Sequence, residues 1–275
     1  QEALKKYSEY YNTNTIKMYI VGNRQHRQWV IKAAKEQQLI PTTEGALNFK
    51  LNITEILDGY PGHEHSYPIT PLYRDIIQSV AQSEIAYTPT LLVSYGGPWA
   101  ENYFYSRENP YHNKKLQHFT PYTDLASKSR RRPGWFMDAE HVFTKHAEFV
   151  EDLVNAGGLA GIGSHGQLQG LGYHWELWAT ASRTTNMNAL KVAIILGAKS
   201  LGLDGDIGSL EVGKLADFIL LEKNPLDNIR NINTILQVIK NGRLYDKNTL
   251  DEVYTKKKKP QNVGGIKKNH KDCPE

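Results

Sequence analysis

Four side chains that can bind a metal ion or transfer a proton stand in or just after apolar segments: Lys17, Glu44, His65 and His165. An imidazole ligates metals and transfers protons near neutral pH, and carboxylates are suitable ligands for divalent ions. A bound divalent metal lowers the pKa of water towards 7 and polarises a carbonyl group. These residue types therefore indicate metal binding or proton transfer as the chemistry that the chain could support.

Residues 159–176 are the most informative stretch, because an apolar strand runs directly into a loop that is rich in glycine and carries His165 and His174. Glycine lets a backbone turn sharply and approach a ligand closely. We assign His165 as a general base, with metal ligation as the alternative, and place His174 on the substrate side, with a supporting or capping role as its alternative. A glycine-rich turn with two ordinary histidines is the plain reading.

Strand-like and helix-like patterns alternate about five times before residue 203. Such alternation, with mostly unbroken apolar strands, is typical of parallel βα units. The strands are predicted at residues 15–20, 39–43, near 62–65, 85–93 and 159–163, and helices at 24–39, 53–57, 71–83, 140–155 and 175–196. The pattern predicts an α/β fold that contains about the last five units of a (β/α)₈ barrel, in which catalytic groups lie at the carboxyl ends of strands.

A long segment of residues 94–138 follows the fourth predicted strand and is rich in aromatic residues. A connection of this length without secondary structure is usually functional. We interpret it as a lid or substrate wall and assign Tyr95 and Trp99 to substrate binding. An aromatic cluster that folds the segment onto itself is a compatible alternative.

Composition limits the classes of partner. The net charge of +4 comes from residues 256–275, which hold seven lysines against Asp272 and Glu275. We expect three parts: residues 1–203 as barrel, 204–250 as a small β unit with an Asn241-Gly242 hairpin, and 251–275 as a basic disordered tail. No apolar stretch approaches the roughly 18 residues of a membrane helix, so a membrane is not expected as a partner. Because the excess of basic residues lies in the tail, a nucleic acid is not expected as a partner either.

Several motifs resemble those of the amidohydrolase superfamily. Residues 208–221, followed by the Asn-Gly hairpin, closely resemble its C-terminal signature, and residues 163–170 are most similar to a branch related to imidazolonepropionase and metal-dependent prolidases, in which the hydrolase domain follows a Tol-type β-propeller. Further matches to its strand-four lysine, strand-six Glu-His and strand-seven Pro-Thr-Leu motifs are Ile16-Lys17, Gly62-His-Glu-His65 and Tyr87-Thr-Pro-Thr-Leu.

This resemblance implies a barrel beside a small β-sandwich, and a divalent metal, zinc first with manganese or iron as alternatives. It implies His65, Glu44 and Lys17 as ligands, Lys17 as a CO₂-derived carbamate. His63 in place of His65, and a plain Lys17–Glu44 pair, remain open. The substrate would be a cyclic amide or a peptide-like molecule.

Three departures from the superfamily pattern qualify this expectation. The first-strand His-x-His pair has no counterpart, the strand-five histidine is replaced in Pro41-Thr-Thr-Glu44, and the strand-eight aspartate is replaced at His165. We therefore expect this chain to be the C-terminal part of an enzyme that needs a missing N-terminal segment, and leave homo-oligomerisation open. The rival hypothesis is an inactive scaffold or binding module of the same fold.

Overall fold

A computed structural model describes residues 1–20, 22–130, 134–166 and 168–259. They form an α/β structure with two sheets, one parallel with five strands and one antiparallel with four. The parallel strands, in spatial and sequence order, are β1 (Thr15–Tyr19), β2 (Ile40–Glu44), β3 (Gly62–Glu64), β4 (Ala86–Thr88) and β5 (Leu159–Ala160). The antiparallel strands are β6 (Phe218–Leu221), β7 (Ile235–Lys240), β8 (Arg243–Tyr245) and β9 (Glu252–Tyr254).

Helices connect the parallel strands, as the alternating pattern predicts. The α-helices are α1 (Glu2–Tyr11), α2 (Arg24–Glu36), α3 (Phe49–Asp58), α4 (Arg74–Gln82), α5 (Ala100–Arg107), α6 (Lys114–Phe119), α7 (Tyr122–Ser129), α8 (Phe143–Asn155), α9 (Leu171–Ala181), α10 (Asn186–Lys191) and α11 (Gly197–Ser200). Shorter helical turns of other types cover Leu91–Val93, Pro110–His112, Asp138–Glu140, Val192–Leu196 and Ile229–Asn233. The helix predicted at residues 175–196 is wrong in its continuity, because α9 ends at Ala181 and α10 begins at Asn186.

One face of the parallel sheet is covered by helices, and we call it the helix face. Met18 and Tyr87 point to this face and share a buried core with Ile56 of α3, Val80 of α4 and Val150 of α8. Because side chains alternate across a strand, the residues between them point the other way. That opposite face carries Lys17, Glu44 and Glu64, and we call it the site face.

Helix α3 has well-defined ends. The Asn48 side chain accepts a hydrogen bond from the Leu51 amide at the N-terminus, and Gly59 ends the helix with a φ of 90°. Asparagine caps and left-handed glycines satisfy backbone groups that helix ends leave unpaired. These ends fix the helix that packs behind β2 and β3.

Two predicted strands are shorter than expected. The strand predicted over residues 85–93 ends at Thr88, and Leu91–Val93 form a 3₁₀ turn instead. Pro89 follows Thr88 and lacks the N–H group that a strand ladder requires. The strand predicted over residues 159–163 ends at Ala160, so the glycines after it belong to the loop.

The segment at residues 94–138 contains helices α5 to α7 rather than an irregular loop. Phe104 and Tyr105 of α5 are buried, and both rings contact the buried Trp175 of α9, with centroids 5.6 and 4.8 Å away. Aromatic pairs at such separations stabilise a core. These rings therefore pack the segment onto α9. Within the segment, the Tyr111 and Tyr122 rings also contact each other, with centroids 6.4 Å apart.

The antiparallel sheet extends further than predicted. Its hairpin turn has Asn241 and Gly242 with φ values of 51° and 72°, as a type I′ turn requires. Strand β9 lies inside the expected tail 251–275, and Glu252 pairs with Lys258, so disorder is wrong for that part. Residues 260–275 lie outside the described residues. Among the described residues, no helix combines the length and apolar composition needed to span a bilayer.

Candidate active site at the carboxyl edge of the parallel sheet

The loops that follow the parallel strands share an unusual backbone feature. Each contains a non-glycine residue with positive φ: Ile20 (44°), Ala46 (45°), His65 (68°), Thr90 (49°) and His165 (52°). This conformation is costly for residues with a Cβ atom, and such strain clusters at functional sites. These backbone conformations therefore indicate a candidate functional site at the carboxyl edge of the sheet.

Three of the predicted site residues form a chain of contacts at this edge. The Lys17 Nζ atom lies 2.5 Å from Glu44 Oε2, and the same carboxylate oxygen lies 3.2 Å from His65 Nε2. Glu44 is buried, whereas Lys17 is half-exposed. The plain Lys17–Glu44 pair, one of the two alternatives for Lys17, is the arrangement present.

His165 joins this cluster from the loop after β5. Its ring lies 5.2 Å from the His65 ring, centroid to centroid, in an edge-to-face arrangement. Gly163 allows this loop to pass close to β4, because a Cβ atom there would lie 2.6 Å from the Thr88 methyl group. The loop glycine thus brings His165 against His65.

Burial lowers the pKa of His65. Glu44 opposes this effect, and Lys17, His165 and His63 reinforce it. The neutral imidazole that results is the form that ligates a metal or accepts a proton. His65 is therefore suited to either role at neutral pH.

His63 lies on the helix face, away from the cluster. Its side chain is buried, and Nε2 lies 3.2 Å from Oε2 of Glu55 in α3. Its ring also packs against Tyr67, with centroids 5.1 Å apart. Of the two histidines in this motif, His65 is the one that contacts Glu44.

The two aromatic residues assigned to substrate binding differ in position. Burial raises the pKa of the Tyr95 phenol, and the charges of Glu44 and Tyr19 raise it further. The buried His146 holds the Tyr95 carbonyl through Nε2 at 3.0 Å. Trp99 precedes α5 and is half-exposed, with no contact to the cluster among the described residues.

His174 lies elsewhere. It lines an apolar cavity of about 530 Å³ between α9 and the antiparallel sheet, together with Tyr173, Leu177 and Phe218. Burial, together with the charge of Lys115, lowers its pKa. The structure does not bring His174 to the cluster, so its assignment to the same substrate site gains no support.

Two carboxylates near the strand ends were missed by the sequence reasoning: Glu55 and Glu64. Glu64 lies on the site face, and burial raises its pKa, while a hydrogen bond from Thr42 and the charge of Lys17 oppose the rise. Strand alternation from His63 would have placed Glu64 on the site face. Glu55 acts from helix α3, and nothing local in the sequence marks its partners.

The donor set has the right chemistry for a divalent metal but is incomplete. Glu44 and His65 supply a carboxylate and a neutral imidazole, both common ligands of zinc. Within the described ranges, no group of three or more histidine, cysteine or acidic side chains has a metal-holding arrangement. Any metal bound at Glu44 and His65 therefore needs Lys17, His165 or a donor from beyond these ranges.

Comparison with known proteins identifies the relatives of this arrangement. The model of the amidohydrolase family matches residues 28–245. Similar solved structures include a Xaa-Pro dipeptidase with bound methionine in the active site (20% identity, 85% of this chain and 55% of that one, TM-score 0.58) and a putative prolidase from Bifidobacterium longum (20%, 90% and 59%, 0.59). A third is the A. niger ochratoxinase (19%, 85% and 51%, 0.59).

At these identities the structural likeness concerns the fold alone. The chain spans between 51% and 59% of the length of these three proteins. A search of curated protein sequences gives no match.

Proposed function

This chain belongs to the amidohydrolase family, and from that premise we propose that it is the C-terminal part of a metal-dependent hydrolase that cleaves a carbon–nitrogen bond. One observation carries the proposal: Glu44 contacts Lys17 and His65 through one oxygen, with His165 packed on His65. Lys17 comes from within β1, Glu44 ends β2, and His65 and His165 follow β3 and β5. Catalytic groups of such folds lie towards this edge of the sheet.

The proposed metal ligands are His65, Glu44 and Lys17, with zinc as the first choice and manganese or iron as alternatives. The metal would lower the pKa of a water molecule and polarise the scissile carbonyl group. Lys17 contributes an oxygen only after CO₂ has converted its amine to a carbamate. In its present pairing it neutralises Glu44 instead.

His165 is the proposed general base. Its imidazole is suited to accept a proton from the attacking water and return it to the leaving nitrogen. The superfamily pattern has an aspartate at this position, so His165 replaces one proton acceptor with another. Its contact with His65 keeps it next to the proposed ligands.

The proposed substrate is a cyclic amide or a peptide-like molecule. Two of the similar structures are a Xaa-Pro dipeptidase and a prolidase complexed with n-methylphosphonate-l-proline. Tyr95, in the segment that follows β4, is the proposed contact for such a substrate. Trp99 is retained as a substrate contact only if its loop closes over the edge of the sheet.

Elemental analysis tests the metal. The polypeptide that contains this chain, purified without chelator, should hold a near-stoichiometric amount of zinc, manganese or iron. His65→Asn and Glu44→Gln should each reduce metal content about tenfold or more, whereas His118→Asn, a histidine of α6, should not. Less than about a tenth of an equivalent with amide hydrolysis intact would refute the metal mechanism. The same low content without hydrolysis would favour the inactive scaffold.

A further inference from the structure

A fully buried carboxylate lies behind the candidate site, on the helix face of the sheet. Glu55 of α3 accepts a hydrogen bond from the Thr43 hydroxyl at 3.1 Å through Oε1, and its Oε2 lies 3.2 Å from His63 Nε2. All three side chains are buried. The two oxygens of one carboxylate thus hold two neighbouring strands.

The residues held by Glu55 are direct partners in the sheet. Thr43 of β2 pairs with His63 of β3 in the parallel ladder. Thr43 directly precedes Glu44, and His63 stands two residues before His65. Glu44 lies on the opposite face of β2 from Thr43, and His65 follows the end of β3 with a φ of 68° and contacts Glu44 there. Glu55 thus holds the two strands from the helix face just before the point where Glu44 and His65 meet.

The ladder between these strands is short. Its register comprises only Thr42–Gly62 and Thr43–His63, and β3 has three residues. Slippage of a strand by one residue moves its side chains to the opposite face. β2 and β3 are also held by β1 and β4 on their outer sides, and the Glu55 bridge adds a constraint across the short ladder itself.

We propose that Glu55 is a positioning residue that bridges Thr43 and His63 and thereby keeps Glu44 and His65 in contact on the site face. This inference rests on the proposed function for its catalytic meaning. The geometric part, the dependence of the Glu44–His65 contact on the bridge, stands without it. Groups that support a ligand from behind commonly change metal affinity 10- to 100-fold when removed.

Three variants separate positioning from plain stability. Thr43→Val removes the hydroxyl and keeps the branched shape, whereas Thr43→Ser keeps the hydroxyl. Thr180→Val is the matched control, because Thr180 is also fully buried and donates to the Glu176 carbonyl at 2.9 Å within its own helix. The measurements are the urea midpoint of unfolding, the zinc dissociation constant from chelator competition, and the Glu44 Oε2–His65 Nε2 separation in crystal structures.

We expect Thr43→Val to weaken zinc binding about tenfold and to lengthen the Glu44–His65 separation beyond hydrogen-bonding distance, about 3.5 Å. Thr43→Ser should behave like the unmodified protein, and Thr180→Val should lose stability without either change. If Thr43→Val does not fold, His63→Phe keeps a ring beside Tyr67, removes the other arm of the bridge, and is interpreted in the same way.

Equal effects of Thr43→Val and Thr180→Val on zinc, with an unchanged separation, would overturn the inference. If the unmodified protein binds neither zinc, manganese nor iron, the metal in the proposed function fails, and the separation alone decides the positioning role. A longer separation in Thr43→Val then supports it, and an unchanged one overturns it.

Discussion

Glu44 shares one carboxylate oxygen between a cation and an imidazole, and this sharing limits its chemistry. While Lys17 carries its positive charge 2.5 Å away, a divalent cation at the same oxygen would be repelled by it. Conversion of the amine to a carbamate removes that charge and adds an oxygen ligand. The protonation and modification state of Lys17 therefore decides whether Glu44 pairs with a side chain or with a metal.

His165 gives the first prediction at the residue scale. His165→Asn keeps a polar side chain of similar reach but removes the proton acceptor, so the turnover number of the full polypeptide should fall about 100-fold or more. Steady-state amide hydrolysis measures this, with His118→Asn as the control that should retain activity. An unchanged rate for His165→Asn would make His165 a structural loop residue.

Glu176 gives a second residue-scale prediction, on pH. Its fully buried carboxylate accepts hydrogen bonds from the Leu91 and Leu92 amides at 2.6 and 2.9 Å. Burial raises its pKa from 4.5 to about 8, against the opposing effect of these two hydrogen bonds. Between these two values the folded state retains a proton that the unfolded state has released, so the free energy of unfolding should fall as the pH rises.

The variant Glu176→Gln cannot titrate, so its free energy of unfolding should depend less steeply on pH. The difference from the unmodified protein should reach at most about 1.4 kcal/mol per pH unit. Urea unfolding at several pH values between about 5 and 9 measures it, with Glu9→Gln as an exposed control. Identical pH slopes for Glu176→Gln and the unmodified protein would show that Glu176 is ionised throughout this range.

Local patterns in the sequence were sufficient to identify most residues of the candidate site. Lys17, Glu44, His65 and His165 were each placed at or near a strand end, and the structure brings them together. The choice between His63 and His65 depends on which face each residue occupies, and the motif alone leaves that open. The bridge through Glu55 was missed because its partners lie 8 and 12 residues away, on strands whose pairing the sequence does not specify.

At the scale of elements, the order of strands and helices was predictable and their lengths were not. β1 and β2 lie within one residue of the predicted limits. β4 stops at Thr88 because Pro89 ends the ladder, and the next turn is capped by Glu176, which is more than 80 residues away. Such a tertiary contact overrides the apolar pattern of residues 85–93, which favoured a long strand.

The β7–β8 hairpin gives a prediction at this scale. Gly242 has a φ of 72° in open space, so Gly242→Ala meets no steric neighbour but must adopt a conformation unfavourable to a residue with a Cβ atom. The expected loss of unfolding free energy is about 1 kcal/mol. Gly205→Ala, also in open space but without positive φ, is the control that should change little, and urea unfolding compares them. Equal losses of unfolding free energy in Gly242→Ala and Gly205→Ala would exclude backbone strain at Gly242 as the cause of the loss.

At the scale of the whole molecule, the parallel sheet has two edges. β1 and β5 are the outer strands, and unpaired backbone groups along such edges readily pair with another chain. Apolar side chains of the antiparallel sheet are also exposed, among them Ile219, Leu220 and Leu236 at 44–46% of their full accessibility. Because Ile219 and Leu220 alternate across β6, apolar side chains are exposed on both faces of this sheet. Exposed apolar groups mark contact surfaces where they cluster, and we propose that a further N-terminal segment of the same polypeptide covers them.

The last prediction follows from these edges: the isolated 275-residue chain should not behave as an active monomer. Open strand edges and exposed apolar groups should cause it to self-associate, and addition of the complementary N-terminal segment should suppress that association. Sedimentation velocity over a range of concentrations, with and without the added segment, measures both effects, and the double variant Ile219→Lys, Leu220→Lys tests whether the apolar patch contributes. A chain that sediments as a monomer, unfolds cooperatively and hydrolyses amides alone would contradict the proposal, because five parallel strands would then suffice for a complete catalytic unit.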